Sequence, residues 1–191
     1  GSSKDPYCYP ETTVLKNMRD LRDATRLEQF ELAKYIARSQ EPWPAGKLDK
    51  SHYFALHRHF FRDVYDWAGK PRTIRIGKGG NWFCFPDFID SELDRLFAEL
   101  KAKKHLVGLP LDEFAREAAH FIAEVNAIHP FRDGNGRTQL AFLRLLCLNA
   151  GRRFDAVVLD RERVIGAMIA SFDGKLDALA DLIRDIASPR P

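Results

Sequence analysis

Cysteine is scarce: Cys8, Cys84 and Cys147 are the only three in 191 residues. An odd number without paired or metal-like spacing argues against a disulfide framework and favours reduced thiols in a cytosol. An excess of one charge is lacking too, since 30 basic residues stand against 27 acidic ones. The resulting net +3 is too small to direct the chain to nucleic acid or to a membrane surface. No apolar run approaches bilayer-spanning length, and the amino terminus carries no charged-then-apolar signal segment. Internal repeats, low-complexity tracts and linkers are also absent, so one compact domain is expected over residues 4–190, with Gly1-Ser2-Ser3 a cloning scar. What is present is ordinary for a soluble globular protein, 45% hydrophobic and 30% charged, with enough chain to bury a substantial core.

Most of that apolar content falls on a helical period. Leu27, Phe30, Leu32, Ala33, Ile36 and Ala37 predict a packing helix over about 23–39, stopped by Pro42-Trp43-Pro44. Asp49 is placed to cap a second helix running to about Asp66, with Tyr53, Leu56, Phe60, Val64 and Trp67 on one face. Residues 87–104 predict a third helix. A fourth, opening near Leu109-Pro110, carries the stripe Phe114, Ala118, Phe121, Val125 and Ile128. Residues 140–148 are apolar apart from Arg144, which predicts a central, buried helix ending at Asn149-Ala150-Gly151. A short extended run is expected over 154–159, then helices from Asp160 to about Phe172 and from Leu176 to Ile186.

Two segments depart from the helical pattern. Residues 4–15, with two prolines and several aromatics, read as an ordered coil laid over the body. Residues 70–85 alternate β-branched with basic positions around Gly79-Gly80-Asn81, the one good hairpin in the chain. A lone hairpin is marginal in water, so it must lean on the helices or on a partner. The fold class expected is therefore mainly α, a helical bundle around a central buried helix, with one β-hairpin.

Between the fourth helix and the central one lies His129-Pro130-Phe131-Arg132-Asp133-Gly134-Asn135-Gly136-Arg137, which packs a base, an acid, two glycines and a cation into one loop. Pro130 ends the preceding helix, and Asp133 sits where its side chain can cap the next. Gly134 and Gly136 have no Cβ, so backbone N–H groups at that helix start can approach a bound group closely. Such a terminus attracts anions, phosphate first among them. The upstream pair His57 and His59 lies two apart on a helix and points to different sides, against a shared metal.

The loop resembles His-Pro-Phe-x-Asp/Glu-Gly-Asn-Gly-Arg-x-x-Arg, the signature of Fic-domain proteins. Residues 57–69 are similar to a second recurring segment of that family, His-Arg-x-Leu/Phe-Phe-x-Asp-Val-Tyr-x-Trp-Ala-Gly, which is structural. The resemblance implies a Fic-type bundle and a protein adenylyltransferase that moves AMP from ATP, its co-substrate, to a Ser, Thr or Tyr hydroxyl. It implies His129 as general base, Asp133 as the Mg²⁺ ligand, and Gly134, Asn135, Gly136 and Arg137 as the phosphate-binding set. The hairpin becomes a flap whose Ile74, Arg75, Ile76, Gly77 and Lys78 pair by main chain with an extended segment of the target protein. A toxin or effector setting is implied, in the bacterial cytoplasm or after delivery into another cell, with a target protein and a small antitoxin-like protein as partners and neither nucleic acid nor membrane.

The match fails at one place, where the second signature arginine is Leu140. That opens two alternatives: a catalytically impaired Fic module that binds nucleotide or a partner, and a variant transferring another phosphate-linked group. Many Fic proteins are restrained by Ser/Thr-x-x-x-Glu, whose glutamate pairs with that second arginine. No serine or threonine here has a glutamate four residues on.

Overall fold

The computed structural model describes residues 4–188; the reading of Gly1-Ser2-Ser3 as a cloning scar lies outside them. The chain runs α1 (Ala24–Ser39), α2 (Lys50–Phe61), β1 (Gly77–Lys78), β2 (Asn81–Trp82), α3 (Ile89–Ala102), α4 (Leu111–Ile128), α5 (Asn135–Asn149), α6 (Arg161–Phe172) and α7 (Asp177–Ala187). The starts of α1, α2 and α6 follow side-chain caps written in the sequence. Asp23, Asp49 and Asp160 each accept the N–H three residues on, at 2.9, 2.9 and 3.1 Å.

The middle of the molecule is α4, which packs on α3, α5, α6 and α7, with α5 lying between α4 and α2. All five stripe residues of α4 are buried, and Ala141, Phe142, Leu143, Leu146 and Cys147 of α5 face them and α2. The buried residues form one continuous cluster. At its heart Phe142 meets Tyr53, Phe97 and Phe121 with ring centroids 5.3–5.7 Å apart.

Three expectations need correction. The α1 stripe is only partly inward: Leu27 is buried and Phe30 packs against the core, whereas Leu32 and Ile36 are about half exposed. Helix α2 stops at Phe61 rather than near Asp66, and Val64, Tyr65, Trp67 and Ala68 are buried from the irregular segment that follows. Past Phe61 the chain curls, and Gly69 at φ +77°, a left-handed position that cannot continue a helix, closes the curl by donating to His57 Nδ1 at 2.9 Å. The run 154–159 is a single 3-10 turn, Ala156–Val158, capped by the Asp155 carboxylate at 3.2 Å from Val157 N.

The hairpin is shorter than expected. Only Gly77↔Trp82 and Lys78↔Asn81 are paired, around Gly79 and Gly80, both at positive φ as a tight two-residue reversal requires. Ile74, Arg75 and Ile76 precede the ladder. Phe83 N–H adds one bond to Ile76 O at 3.1 Å. Below that, each arm bonds the end of α4 instead of its mate: Cys84 N–H donates to Ala127 O at 3.2 Å, and Arg72 N–H to Pro130 O at 2.8 Å. The N-terminal coil is ordered as expected, with Cys8, Tyr9, Val14 and Leu15 buried. It straps the site's edge: the Tyr7 hydroxyl accepts Thr73 N–H at 3.0 Å, and Asp5 pairs with Arg132 at 2.5 Å.

Candidate active site

The loop between α4 and α5 sits on an aromatic floor. Phe131 is fully buried, stacked on His57 at 3.7 Å between ring centroids and 14° between planes, with Tyr53 and Phe54 beside it. His57 accepts from Gly69 on Nδ1, so its Nε2 carries the proton and donates to Asp133 O at 2.9 Å. His59 turns the other way, to Arg38 O at 2.8 Å. The two histidines thus hold separate elements.

His129 closes α4 in the left-handed region, φ 50° and ψ 65°. Its Nδ1 lies 3.1 Å from Asn126 O; a carbonyl can only accept, so the proton is on Nδ1 and the Nε2 lone pair is free. Gln139 steadies Asn126 by donating to its Oδ1 at 3.2 Å. Phe83 of the flap lies flat on the imidazole, 3.7 Å between centroids and 4° between planes. Burial pushes the His129 pKa down to about 4, the cations Arg72 and Lys78 add to that, and the Asn126 carbonyl opposes it.

Gly134 precedes α5 at φ +82°, and a Cβ there would fall 2.6 Å from the Phe61 ring, so this position admits only glycine without rearrangement. Gly136 faces open space. The Asn135 side chain is spent internally, accepting Phe131 N–H at 3.0 Å and donating to Phe131 O at 2.8 Å. What α5 offers a ligand is its first backbone N–H groups, which have no carbonyl four residues back in the helix. Asp133 caps α5 less deeply than expected: Oδ1 accepts the neighbouring Gly134 N–H at 2.8 Å, and no helical N–H reaches it. Its carboxylate is otherwise exposed to the cavity.

Arg137 reaches back to Glu31 of α1, whose other oxygen accepts the Tyr65 hydroxyl. Its guanidinium lies 4.5 Å over Phe61 and 5.2 Å over Tyr35, leaving further N–H donors at the cavity wall. Around these groups opens a cavity of about 900 Å³, ample for a nucleotide. One wall is the motif, with Lys78 and Asn81 of the flap above it. The α6 wall is largely apolar, with Val164, Ile165, Met168 and Phe172, and carries Arg161 at its start. Leu140 and Leu143 continue that apolar lining.

His129, Asp133, Gly134, Asn135, Gly136, Arg137 and Lys78 therefore meet at one cavity, as the signature implies. Ile74, Arg75, Ile76 and Gly77 lie outside its lining. Arg75 stacks on the exposed rings of Trp82 and Phe85, at 4.4 and 4.0 Å. Glu31, Arg72, Phe83 and Gln139 were not foreseen. Glu31, Arg72 and Phe83 each touch a motif residue from more than 40 positions away and Gln139 reaches His129 only through Asn126; only Phe83, an aromatic at an inward-facing hairpin position, left any local signal. Among the described residues no group of three or more His, Cys, Asp or Glu could hold a metal, and no helix is long and apolar enough to cross a membrane.

Comparison with known proteins agrees with this geometry. Residues 47–147 match the Fic/DOC family. The chain is 53% identical to a probable protein adenylyltransferase, y4lH, of Sinorhizobium fredii, over 95% of both chains. It is 38% identical to the protein adenylyltransferase VbhT of Bartonella schoenbuchensis, over 95% of this chain and 39% of that longer one. Among solved structures, BepC of Bartonella tribocorum with bound AMPPNP superposes with a TM-score of 0.88 at 28% identity, covering 97% of each chain. A Bartonella quintana Fic domain with bound ADP gives 0.87 at 30%, covering 96% of this chain and 95% of that one. With the motif loop, the bundle and the flap in their places and relatives this similar along its length, the chain belongs to the Fic/DOC family.

Proposed function

We infer that this chain is a protein adenylyltransferase, moving AMP from ATP onto a Ser, Thr or Tyr hydroxyl of a target protein. The observation that carries the reading is an imidazole with a free Nε2 facing the same cavity as the N-terminus of α5 and the Arg137 guanidinium. The relatives' names and the nucleotides bound in BepC and in the Bartonella quintana domain support ATP as donor.

In this reading His129 Nε2 takes the proton from the target hydroxyl, whose oxygen attacks the α-phosphorus. A new P–O bond forms, the bond to the bridging oxygen breaks, and pyrophosphate leaves. The first N–H groups of α5, at Asn135 and Gly136, bind phosphate oxygens, and Arg137 neutralises charge on the leaving side. Gly134 sets the turn that aims those groups. Asp133 suits Mg²⁺: it is a single hard carboxylate with one oxygen on Gly134 N–H and the other free of protein donors among the described residues. The bound ion would offset phosphate charge.

The flap docks the target along its 74–78 edge, where the main chain of Ile74, Arg75, Ile76, Gly77 and Lys78 meets an extended segment. Residues 4–190 work as one Fic unit, in a cytoplasm that is the bacterium's own or that of a cell receiving it as an effector. An antitoxin-like partner acting through a glutamate would find no arginine at 140, so it would have to restrain the site by other contacts.

Leu140 supports a second reading, a transferase slowed with ATP or re-specified to another phosphate-linked donor. Its side chain lines the cavity where the family signature carries an arginine, and it offers no donor. Losing one charge-assisted contact is worth about 1.5–3 kcal/mol, about ten- to a hundredfold in rate. The test uses ATP labelled separately at the α- and γ-phosphates, with the parent and Leu140→Arg. Protein-bound label from the α position alone, rising in Leu140→Arg, is expected. Label from the γ position would overturn adenylyl transfer, and transfer from CDP-choline but not ATP would favour the re-specified donor.

A further inference from the structure

We propose that Arg72 is a positioning residue that locks the flap to His129, so that the imidazole and the docking edge keep one fixed relation. The proposal rests on the reading of His129 as base and the flap as docking edge. Arg72 is 2% exposed and forms no ion pair among the described residues. A buried cation without an anion is costly unless other groups satisfy it. Here carbonyl dipoles do so. Nε donates to His129 O at 2.7 Å, and Nη1 to Ile74 O at 2.8 Å. Nη2 donates to Cys84 O at 2.6 Å and to Ile128 O at 3.0 Å.

Those acceptors fall into two sets. Ile128 and His129 supply the last carbonyls of α4, the negative end of its dipole, where a cation is favoured. Ile74 and Cys84 belong to the two arms of the flap. A planar fork of five donors spans both sets at once, which a lysine ammonium on a flexible stem cannot do. The same bonds explain why the hairpin ladder is short: the carbonyls of Ile74 and Cys84 are turned to Arg72 instead of to the opposite arm.

The consequence for His129 is backbone control. A left-handed residue with a side chain is uncommon and persists where its surroundings over-determine it. At His129 the N–H is held by Val125 O at 2.9 Å, the carbonyl by Arg72, and the ring by Phe83 from the flap itself. Rotation of the His129 backbone, or lifting of the flap, would each strand part of the Arg72 fork. Arg72 is absent from the cavity lining, so it acts on the reaction only through His129 and the flap.

Arg72→Lys and Arg72→Gln test this, with transfer from α-labelled ATP to lysate protein read as kcat and KM, and with amide hydrogen exchange of the free protein. Arg72→Lys should lower kcat by about ten- to a hundredfold while KM for ATP stays near that of the parent. Exchange should quicken at 74–84, with the 135–149 amides keeping parental protection. Arg72→Gln should do the same more strongly. Parental kcat and parental exchange at 74–84 in both variants would overturn the proposal. So would loss of protection spread evenly through α4 and α5 with KM rising in step, the mark of a mere structural staple. If the parent itself transfers nothing, the functional reading fails, and the exchange pattern still decides whether Arg72 ties the flap to α4.

Discussion

His129 shows how much of a side chain's chemistry is set by its backbone. Placed one residue past α4 in the left-handed region, it points its Nδ1 proton at Asn126 O and leaves Nε2 free. Its burial, with Arg72 and Lys78 adding positive charge, pushes its pKa down to about 4 from the ordinary 6.5. A depressed pKa keeps the imidazole neutral, hence competent as a base, everywhere above that value. The stability linked to this neutral form is full above 6.5 and is lost as pH falls towards 4. The kcat/KM of transfer should therefore be level through neutrality, with its acid limb near pH 4. An acid limb near the ordinary histidine value would contradict the burial of His129 beneath Phe83.

At the scale of elements, the flap is the least regular piece and the one most exposed to a partner. Its ladder holds two residue pairs, and Ile76 contributes only its carbonyl, to Phe83 N–H. Ile76 N–H has no acceptor among the described residues and turns with its carbonyl towards the opposite arm, so proline at 76 tests the shape of the edge offered to a docked segment. Ile76→Pro removes that donor without breaking a flap bond. It should cut modification of target protein severalfold while leaving affinity for a fluorescent ATP analogue unchanged. An equal fall in both would mean that the segment serves the nucleotide or the fold.

The helices were legible because their signals are local: the Asp23, Asp49 and Asp160 caps and the Phe114 to Ile128 stripe each lie within a few turns. The hairpin and its Gly79-Gly80 reversal are legible too, but its short ladder is not, because that depends on Arg72, which looks in sequence like one more basic residue of an alternating strand. Distant bonds to Ile128 and His129 cannot be seen from that alternation. The end of α2 was misread for a like reason, since His57 and Gly69 close the curl across 12 positions. Asn135 and Arg137 stand out in the sequence as motif residues, but Asn135's amide bonds to Phe131 and Arg137's pairing with Glu31 do not.

Taken whole, the molecule sets a rigid floor against a lightly paired cover. Helices α2, α4 and α5 meet beneath the loop at Phe131 and His57, while α6 supplies the apolar wall. The flap and the N-terminal coil close the edge, tied by Arg72, Tyr7–Thr73 and Asp5–Arg132. In the proposed function that floor orients the nucleotide and the cover receives the target, with His129 between the cavity and Phe83 of the flap. In the proposed mechanism His129 moves the proton of the acceptor hydroxyl and does not hold the nucleotide. The direct measurement is peptide mass spectrometry of a lysate treated with isotope-labelled ATP and either the parent or His129→Ala, with nucleotide affinity measured for both. AMP on target hydroxyls is expected with the parent, none with His129→Ala, and similar affinities for the two. Equal labelling by the two proteins, or no AMP on any protein with the parent, would contradict that mechanism.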